Sequence, residues 1–392
     1  MSLLVPASEE DAVAIVKDAV ARHQPLAIEG GGTRAGLGRP MQTAATLSTR
    51  NLNGIVFYEP AEMVIRAKAG TPVAEIEAAL AEKGQVLPFE PMDHRSVLGA
   101  EGEPTIGAVA ACNISGPRRI RNGAARDSLI GVRFINGKGE IINSGGRVMK
   151  NVTGLDLVKL QCGAYGTLGV LTEVTFKVIP ATESSGALVI DGLDDEKAVA
   201  AMSAALGSPF EVSGAAHVPG ERPRTFLRIE HFAPSVNYRL GELEKLLKPF
   251  GPMSRLGHDE TGAIWRDIRD AKAFAASDNQ ALWRISIAPS RAPSLMRKIA
   301  QQASVARYMF DWGGGLIWLA VPSQKDAGAQ MIRAALAGTG GYATLVRAPD
   351  DIRNAVDVFQ PQADALMKIS RGIKASIDPK GIFNPGRMYA GN

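Results

Sequence analysis

Leu26-Ala27-Ile28-Glu29-Gly30-Gly31-Gly32-Thr33 is the stretch on which the fold turns. A short apolar run after Pro25 stops abruptly at three consecutive glycines, the pattern of a strand that ends in a tight turn. Glycine lets the backbone take positive φ and brings bare N–H groups close to a ligand with no Cβ in the way, so the natural guest of such a turn is an anion. Standing alone, the three glycines are explained equally well by a purely structural turn.

Residues 30–35 also fit G-x-G-x-x-A, the dinucleotide fingerprint of doubly wound folds. That fingerprint needs a helix directly behind it and an acidic residue about 20 positions on to hold a ribose. Here residues 34–45 contain Gly36, Gly38 and Pro40, show no helical periodicity and lead into a second apolar run, Ala45 to Ser48. Thr49 to Asn53 carries no acid, and the first one after the loop is Glu59. Both requirements for a NAD site fail.

Outward from the loop, Ser8 with Asp11 offers a helix N-cap, and Ala12, Ile15, Val16, Ala19 and Val20 then fall on one helical face, which predicts a helix over 8–22. Pro72 in a first turn, Val73, Ile76, Ala79 and Leu80 on one face, and Gly84 at the end predict a second over 72–83. Residues 104–131 are rich in Gly, Ala, Ser, Asn and Arg, whereas 132–142 and 170–179 read as strands. Asn136-Gly137-Lys138-Gly139 supplies hairpin chemistry between Ile135 and Ile141.

After Pro180 the order becomes strand 187–191, helix 194–206, strands 211–217 and 224–231, and helix 235–248. An irregular stretch follows, then strand 281–288, helix 293–303, strands 305–311 and 315–321, helix 325–337 and strand 342–347. This predicts an α+β chain whose second domain duplicates a ferredoxin-like βαββ unit, an antiparallel sheet with helices on one side. A final helix over 361–377 runs into Asp378-Pro379.

The chain has 392 residues, 45% hydrophobic and 21% charged, enough for two or three structural units. Its net charge of +4 is mild, and Arg118, Arg119 and Arg121 form its densest basic run, so nucleic acid is not an expected partner. No stretch reaches the roughly 18 apolar residues of a membrane span, and residues 1–22 lack the pattern of a secretory leader, so a cytoplasmic protein is expected. Cys112 and Cys162 are far apart, which excludes a zinc knuckle or an iron–sulfur cluster built from this chain and favours two small core residues. His23, His94, His217, His231 and His258 show no paired metal-ligand spacing, and no metal site is expected.

Four segments, in order, resemble the vanillyl-alcohol-oxidase (PCMH-type) FAD-binding family. Ala27 to Thr33 looks like its pyrophosphate loop, Thr105-Ile106-Gly107-Ala108-Val109-Ala110-Ala111-Cys112-Asn113-Ile114-Ser115-Gly116 like its second nucleotide loop, and Gly163 to Glu173 like its third, with Lys150 to Leu157 between them. Asp378-Pro379-Lys380-Gly381-Ile382-Phe383-Asn384-Pro385-Gly386 is similar to the tail by which such proteins return to the flavin domain. The likeness implies a two-part FAD domain over 1–180, divided near 58, a cap domain over 181–360 and a returning segment over 361–392. Within the family it runs to the FAD-binding subunits of bacterial glycolate oxidases.

The resemblance implies that FAD sets its diphosphate on the backbone of Gly30, Gly31, Gly32 and Thr33, and lies along Thr105, Ile106 and Gly107. Ala110, Ala111 and Gly116 join Gly107 as small residues walling a flat ring. Asn113 and Ser115 could bond the flavin's polar edge or cap a local turn. Gly166, Thr167, Gly169 and Val170 would touch the nucleotide half, and Asn384 would either approach the ring or cap the Asp378 turn. Some relatives tether flavin through a His in the first loop; Gly32 and Thr33 stand there instead, which implies noncovalent FAD.

Relatives that oxidise 2-hydroxy acids carry a run like His-Ala-Gly-Asp-Gly-Asn-x-His and a later Gly-Glu-His-Gly, and neither occurs here. The expectation is therefore a subunit that holds FAD and relays electrons in a glycolate or 2-hydroxy-acid oxidase, beside a sister flavoprotein and an iron–sulfur subunit, with a peripheral place at the inner membrane face. A self-sufficient flavin dehydrogenase for another hydroxyl substrate, or a non-catalytic assembly subunit, are the alternatives. His94, just ahead of the second loop, reads as a solvated loop residue, and the three arginines as a substrate-attracting or a solvated docking patch. No catalytic base is identifiable.

Overall fold

Leu26–Glu29 is a strand, and it forms one edge of a three-stranded parallel sheet in the order Ser2–Leu4, Ala45–Ser48, Leu26–Glu29. The computed structural model describes residues 2–146, 155–277, 279–302 and 304–391, so most of the Lys150 to Leu157 segment lies outside the described residues. No helix follows the glycines; the chain turns and returns as Ala45–Ser48. Helix Glu9–Arg22 starts at a full Ser8/Asp11 capping box and buries Ala12, Val16 and Ala19 against this sheet.

A five-stranded antiparallel sheet stands beside it, ordered Ile55–Glu59, Val64–Lys68, Val170–Lys177, Leu129–Ile135, Ile141–Gly145. Ile135 and Val170 of this sheet share one core with Leu26, Leu47 and Phe383. The hairpin is fixed by Asn136, whose Oδ1 accepts from the amides of Lys138 and Glu140. Ile55–Glu59 is an edge strand of this antiparallel sheet.

The chain divides into two compact units, one of residues 1–115, 123–181 and 361–392, the other of 116–122 and 182–360. In the second unit eight antiparallel strands run Met253–Leu256, Ser184–Asp191, Arg224–His231, Gly214–Val218, then Arg307–Asp311, Leu316–Pro322, Gln280–Ser286, Tyr342–Arg347. Each half follows the chain order β-α-β-β-α-β, and the halves meet through a single bridge, His217 to Phe310. Helices Asp195–Leu206, Ala233–Leu247, Ala292–Gln302 and Ala329–Leu336 bury their apolar stripes against alternate strand residues such as Leu188, Leu227, Trp283 and Leu319. Strand Met253–Leu256 and helix His258–Arg269 occupy the stretch expected to be irregular. The strand has no buried residue and hence no alternating pattern to read.

Candidate functional site

In the first unit the glycine turn opens on a cleft of about 600 Å³ of empty space, walled by Ile28 to Ala35, Ala69, Gly107, Ala108, Ala111, Cys112, Tyr165, Gly166 and Arg387. Each glycine of the turn has its own steric reason. A Cβ on Gly30 would lie 2.1 Å from the Thr105 hydroxyl, and one on Gly31 would lie 2.0 Å from the Glu103 carbonyl oxygen, while Gly32 takes φ of +81°. The turn is thus both a packing device and a row of amides left without backbone partners. Among the described residues, the N–H groups of Gly31, Gly32, Thr33 and Arg34 find no acceptor.

Arg34 is 4% exposed, and only its Nη2 is bonded, to the Met92 carbonyl at 3.0 Å. Its Nε and Nη1 are buried without a partner on the wall of the cleft. Burial pulls this guanidinium below its ordinary pKa. A buried cation with two unmade hydrogen bonds is costly unless an anion completes it. Arg387, 6% exposed, adds a second positive charge and donates to the carbonyls of Leu37 and Arg34. Half-buried Glu29 lines the same wall; burial raises its carboxyl, and the charges of Arg387 and Arg50 oppose that without cancelling it.

Of the residues expected from the sequence, Gly30, Gly31, Gly32, Thr33, Gly107, Gly166 and Gly169 line this cleft together, with Ala111. Thr105 and Ile106 are buried behind the glycine turn, where the Thr105 hydroxyl has no hydrogen bond. Ala110 and Val170 are fully buried and do not reach it. Asn113 and Ser115 act as caps: Asn113 ends helix Ile106–Cys112 in the left-handed region, its Oδ1 accepts from the Arg126 amide at 3.0 Å, and Ser115 Oγ accepts from the Ala125 amide at 2.9 Å. Gly116 belongs to the second unit, where its carbonyl accepts from the Trp312 indole. Thr167 turns its hydroxyl to the Ala164 carbonyl.

Asn384 neither lines the cleft nor caps the Asp378 turn. Fully buried, it accepts from the Ile28 amide and donates to the Tyr165 carbonyl, both at 2.7 Å, and so ties strand Leu26–Glu29 to the Gly163 to Glu173 loop. The Asp378 turn is held by Lys374, whose Nζ donates to Asp378 and to the carbonyls of Thr167 and Phe383 at 2.7 to 2.8 Å. Arg34, Arg387 and Cys112 are cleft residues that sequence reasoning did not find. Only the place of Arg34, directly after the glycines, could have drawn attention to it. Cys112 lines the wall as a largely buried thiol that burial also pushes up, whereas Cys162 is the core residue expected, its thiol pushed up to about 12 by burial.

In the second unit the three arginines have separate fates. Arg118 makes a bidentate pair with Glu230 at 2.6 and 3.0 Å, Arg121 pairs with Glu211 at 2.6 Å, and Arg119 lies over Trp312 at 4.6 Å. His94 is 5% exposed and not solvated. His217 is fully buried, its Nδ1 2.9 Å from the Thr225 hydroxyl and its Nε2 3.5 Å from Asp195. Among the described residues no three His, Cys, Asp or Glu side chains stand close enough to hold a metal, and no helix is long and apolar enough to cross a membrane.

Residues 2–145 match the model of a family described as an FAD binding domain. Across 98% of its length the chain also superposes on 76% of an alkyldihydroxyacetonephosphate synthase with a TM-score of 0.68 at 16% identity, a likeness of fold alone. It is 28% identical over 198 residues to a D-lactate dehydrogenase of Anaerostipes hadrus, covering 49% of this chain and 40% of that one. Fold, cleft and matched domain together define an FAD-binding oxidoreductase. More particularly, the chain is 36% identical over 375 residues to glycolate oxidase subunit GlcE of Escherichia coli K12, covering 96% of this chain and 95% of that one, and it belongs to the GlcE family.

Proposed function

We propose that the chain holds FAD noncovalently in the cleft of its first unit and serves as the electron-relaying subunit of a glycolate or 2-hydroxy-acid oxidase. Its partners in this reading are a sister flavoprotein that oxidises the substrate and an iron–sulfur subunit, in a cytoplasmic assembly peripheral to the inner membrane face. The observation that carries it is the convergence on one cleft of four amides without an acceptor and two unbonded guanidinium nitrogens of buried Arg34. End-to-end likeness to GlcE supports the subunit role.

FAD, when bound, supplies the two-electron chemistry. The chain's part is positioning: amides of the Gly30 to Thr33 loop and Arg34 would neutralise the diphosphate, and Gly107, Ala108 and Ala111 would leave room for a flat ring. The returning tail braces the strand ahead of that loop through Asn384. Two cysteines cannot ligate an iron–sulfur cluster, which requires about four thiolates, so onward transfer falls to a partner protein.

Purified alone, the chain is expected to show flavin absorbance and negligible oxidation of glycolate or D-lactate with an artificial acceptor, with activity appearing once partner subunits are added. Robust turnover by the isolated chain would refute the division of labour and favour a self-sufficient dehydrogenase. A colourless chain that rejects added FAD would favour an assembly role.

A further inference from the structure

The helix side of the eight-stranded sheet carries a second cleft that the FAD site does not use, about 780 Å³ of empty space including its open mouth. It lies where helices Asp195–Leu206 and Ala292–Gln302 meet strands Gly214–Val218 and Arg307–Asp311, beside the bridge that joins the two halves of the sheet. Ala215 faces the helix-side core, so His217, two residues on in the same strand, points the same way and lines the cleft.

His217 is fully buried with one hydrogen bond unmade. Its Nδ1 meets the Thr225 hydroxyl at 2.9 Å and its ring stacks on Phe310, but its Nε2 has no hydrogen-bond partner. Asp195 Oδ1 stands 3.5 Å from that nitrogen, too far to bond it well. A donor atom seated between the two, about 2.8 to 3.0 Å from each, would bond both. Asp195 is itself held in place, because its Oδ2 accepts from the Tyr308 hydroxyl at 2.8 Å. Burial first, and then the carboxylate, raise the Tyr308 phenol above its ordinary pKa, so the phenol keeps the proton it donates.

Charge decides which donor fits. A helix N-terminus favours anions, but Asp194, Asp195 and Glu196 already supply three of them there. At the rim Asp194 faces Lys197 at 3.7 Å and Glu196 pairs with Arg297, which leaves Asp195 with no lysine or arginine partner among the described residues. An anionic ligand would meet that carboxylate with repulsion, and one His with one Asp is too small a set to hold a metal ion. A primary ammonium brings the missing positive charge and N–H donors for both atoms. The cleft's other walls, among them Pro219, Pro223, Pro293, Met296 and Ala300, are apolar and suit an alkyl chain.

We propose that His217 and Asp195 form, on the helix side of the second unit, a binding site for a primary alkylammonium group whose chain lies along Pro219, Pro293 and Met296. The group belongs either to a free aliphatic amine or to a lysine side chain of another protein, since the recognition chemistry is the same. The site stands on the geometry of this unit and does not depend on FAD binding in the other.

The test is nuclear magnetic resonance of the full chain at fixed pH and ionic strength, following the His217 imidazole during titration with butylammonium, with Nα-acetyl-lysine amide and with tetramethylammonium. A saturable shift with at least one of the first two, and none with tetramethylammonium, a cation without N–H donors, is expected. Tighter binding of butylammonium assigns the site to a free amine, and tighter binding of the lysine amide to a protein segment. Asp195→Asn should weaken the interaction at least about tenfold, whereas Glu196→Gln at the rim should change it by less than about twofold. Should Asp195→Asn fail to fold, His217→Leu is the substitute, followed through the Tyr308 ring and expected to show the same loss. No saturable shift, an equal shift with tetramethylammonium, or full binding by the variant would overturn the site. FAD absorbance of the same samples keeps the two readings apart: lost amine response with FAD retained counts against this site alone, and lost FAD with amine response retained counts against the proposed function alone.

Discussion

Arg34 carries a charge in a place where charge is expensive, 4% exposed with two of its donors unmade. Replacing it with Met should lower FAD affinity by about 10- to 100-fold, the worth of roughly 1.5 to 3 kcal/mol for charge-assisted hydrogen bonds. The same change should leave the FAD-free protein as stable or more so, since a desolvated cation is removed. Flavin fluorescence titration and melting with and without FAD read these opposite effects, and an unchanged affinity contradicts the role given to Arg34. Gly31→Ala presses a Cβ against the Glu103 carbonyl, which is backbone and cannot rotate away. It should cost about 1 to 3 kcal/mol in denaturant melts, more than Gly30→Ala, where the obstacle is the Thr105 side chain. The glycines were legible because both their uses, positive φ and close approach, are local properties. Arg34 was not: its burial is set by Met92, 58 residues away, and by a cleft built from three loops. Asn384 was noticed for its motif but not understood, because its partners Ile28 and Tyr165 are 356 and 219 residues distant.

Among elements, the readable ones announce themselves by strong local chemistry. Helix Glu9–Arg22 has its capping box, and strands Leu129–Ile135 and Ile141–Gly145 have the Asn136 turn between them. Strands Ile55–Glu59 and Met253–Leu256 bury no residue and show no alternation, so tertiary pairing alone defines them. The short helix Arg119–Asn122 is anchored to strand Arg224–His231 through Arg118, Glu230 and Arg228. Burial would raise the Glu230 carboxyl, but Arg228 and Arg118 outweigh it and lower the group from 4.5 to about 2. Because the folded value lies below the unfolded one, the pair's stabilisation is complete above about pH 4.5 and is lost as pH falls toward about 2. Glu230→Gln should therefore be less stable at neutral pH yet show a flatter decline on acidification. Thermal melts across that window check it, and parallel acid limbs for the two proteins would contradict it.

On the scale of the whole molecule, the class of protein was legible from motifs in order. Its catalytic base was not, since no residue announces one in the sequence or among the described clusters. What organises the first unit is a chain that begins it and comes back to close it: Leu26 bonds Ile382 at 2.7 Å, and Asn384 bonds Leu26 at 3.0 Å. The strand that delivers the glycine turn is thereby clamped by the tail, and the turn lines the cleft. A crystal structure of the chain grown with FAD tests this most directly. The account predicts diphosphate oxygens within hydrogen-bonding distance of the Gly31 to Arg34 amides and of Arg34 Nε or Nη1. Flavin lodged elsewhere, or its diphosphate in water with those groups still unbonded, would contradict it.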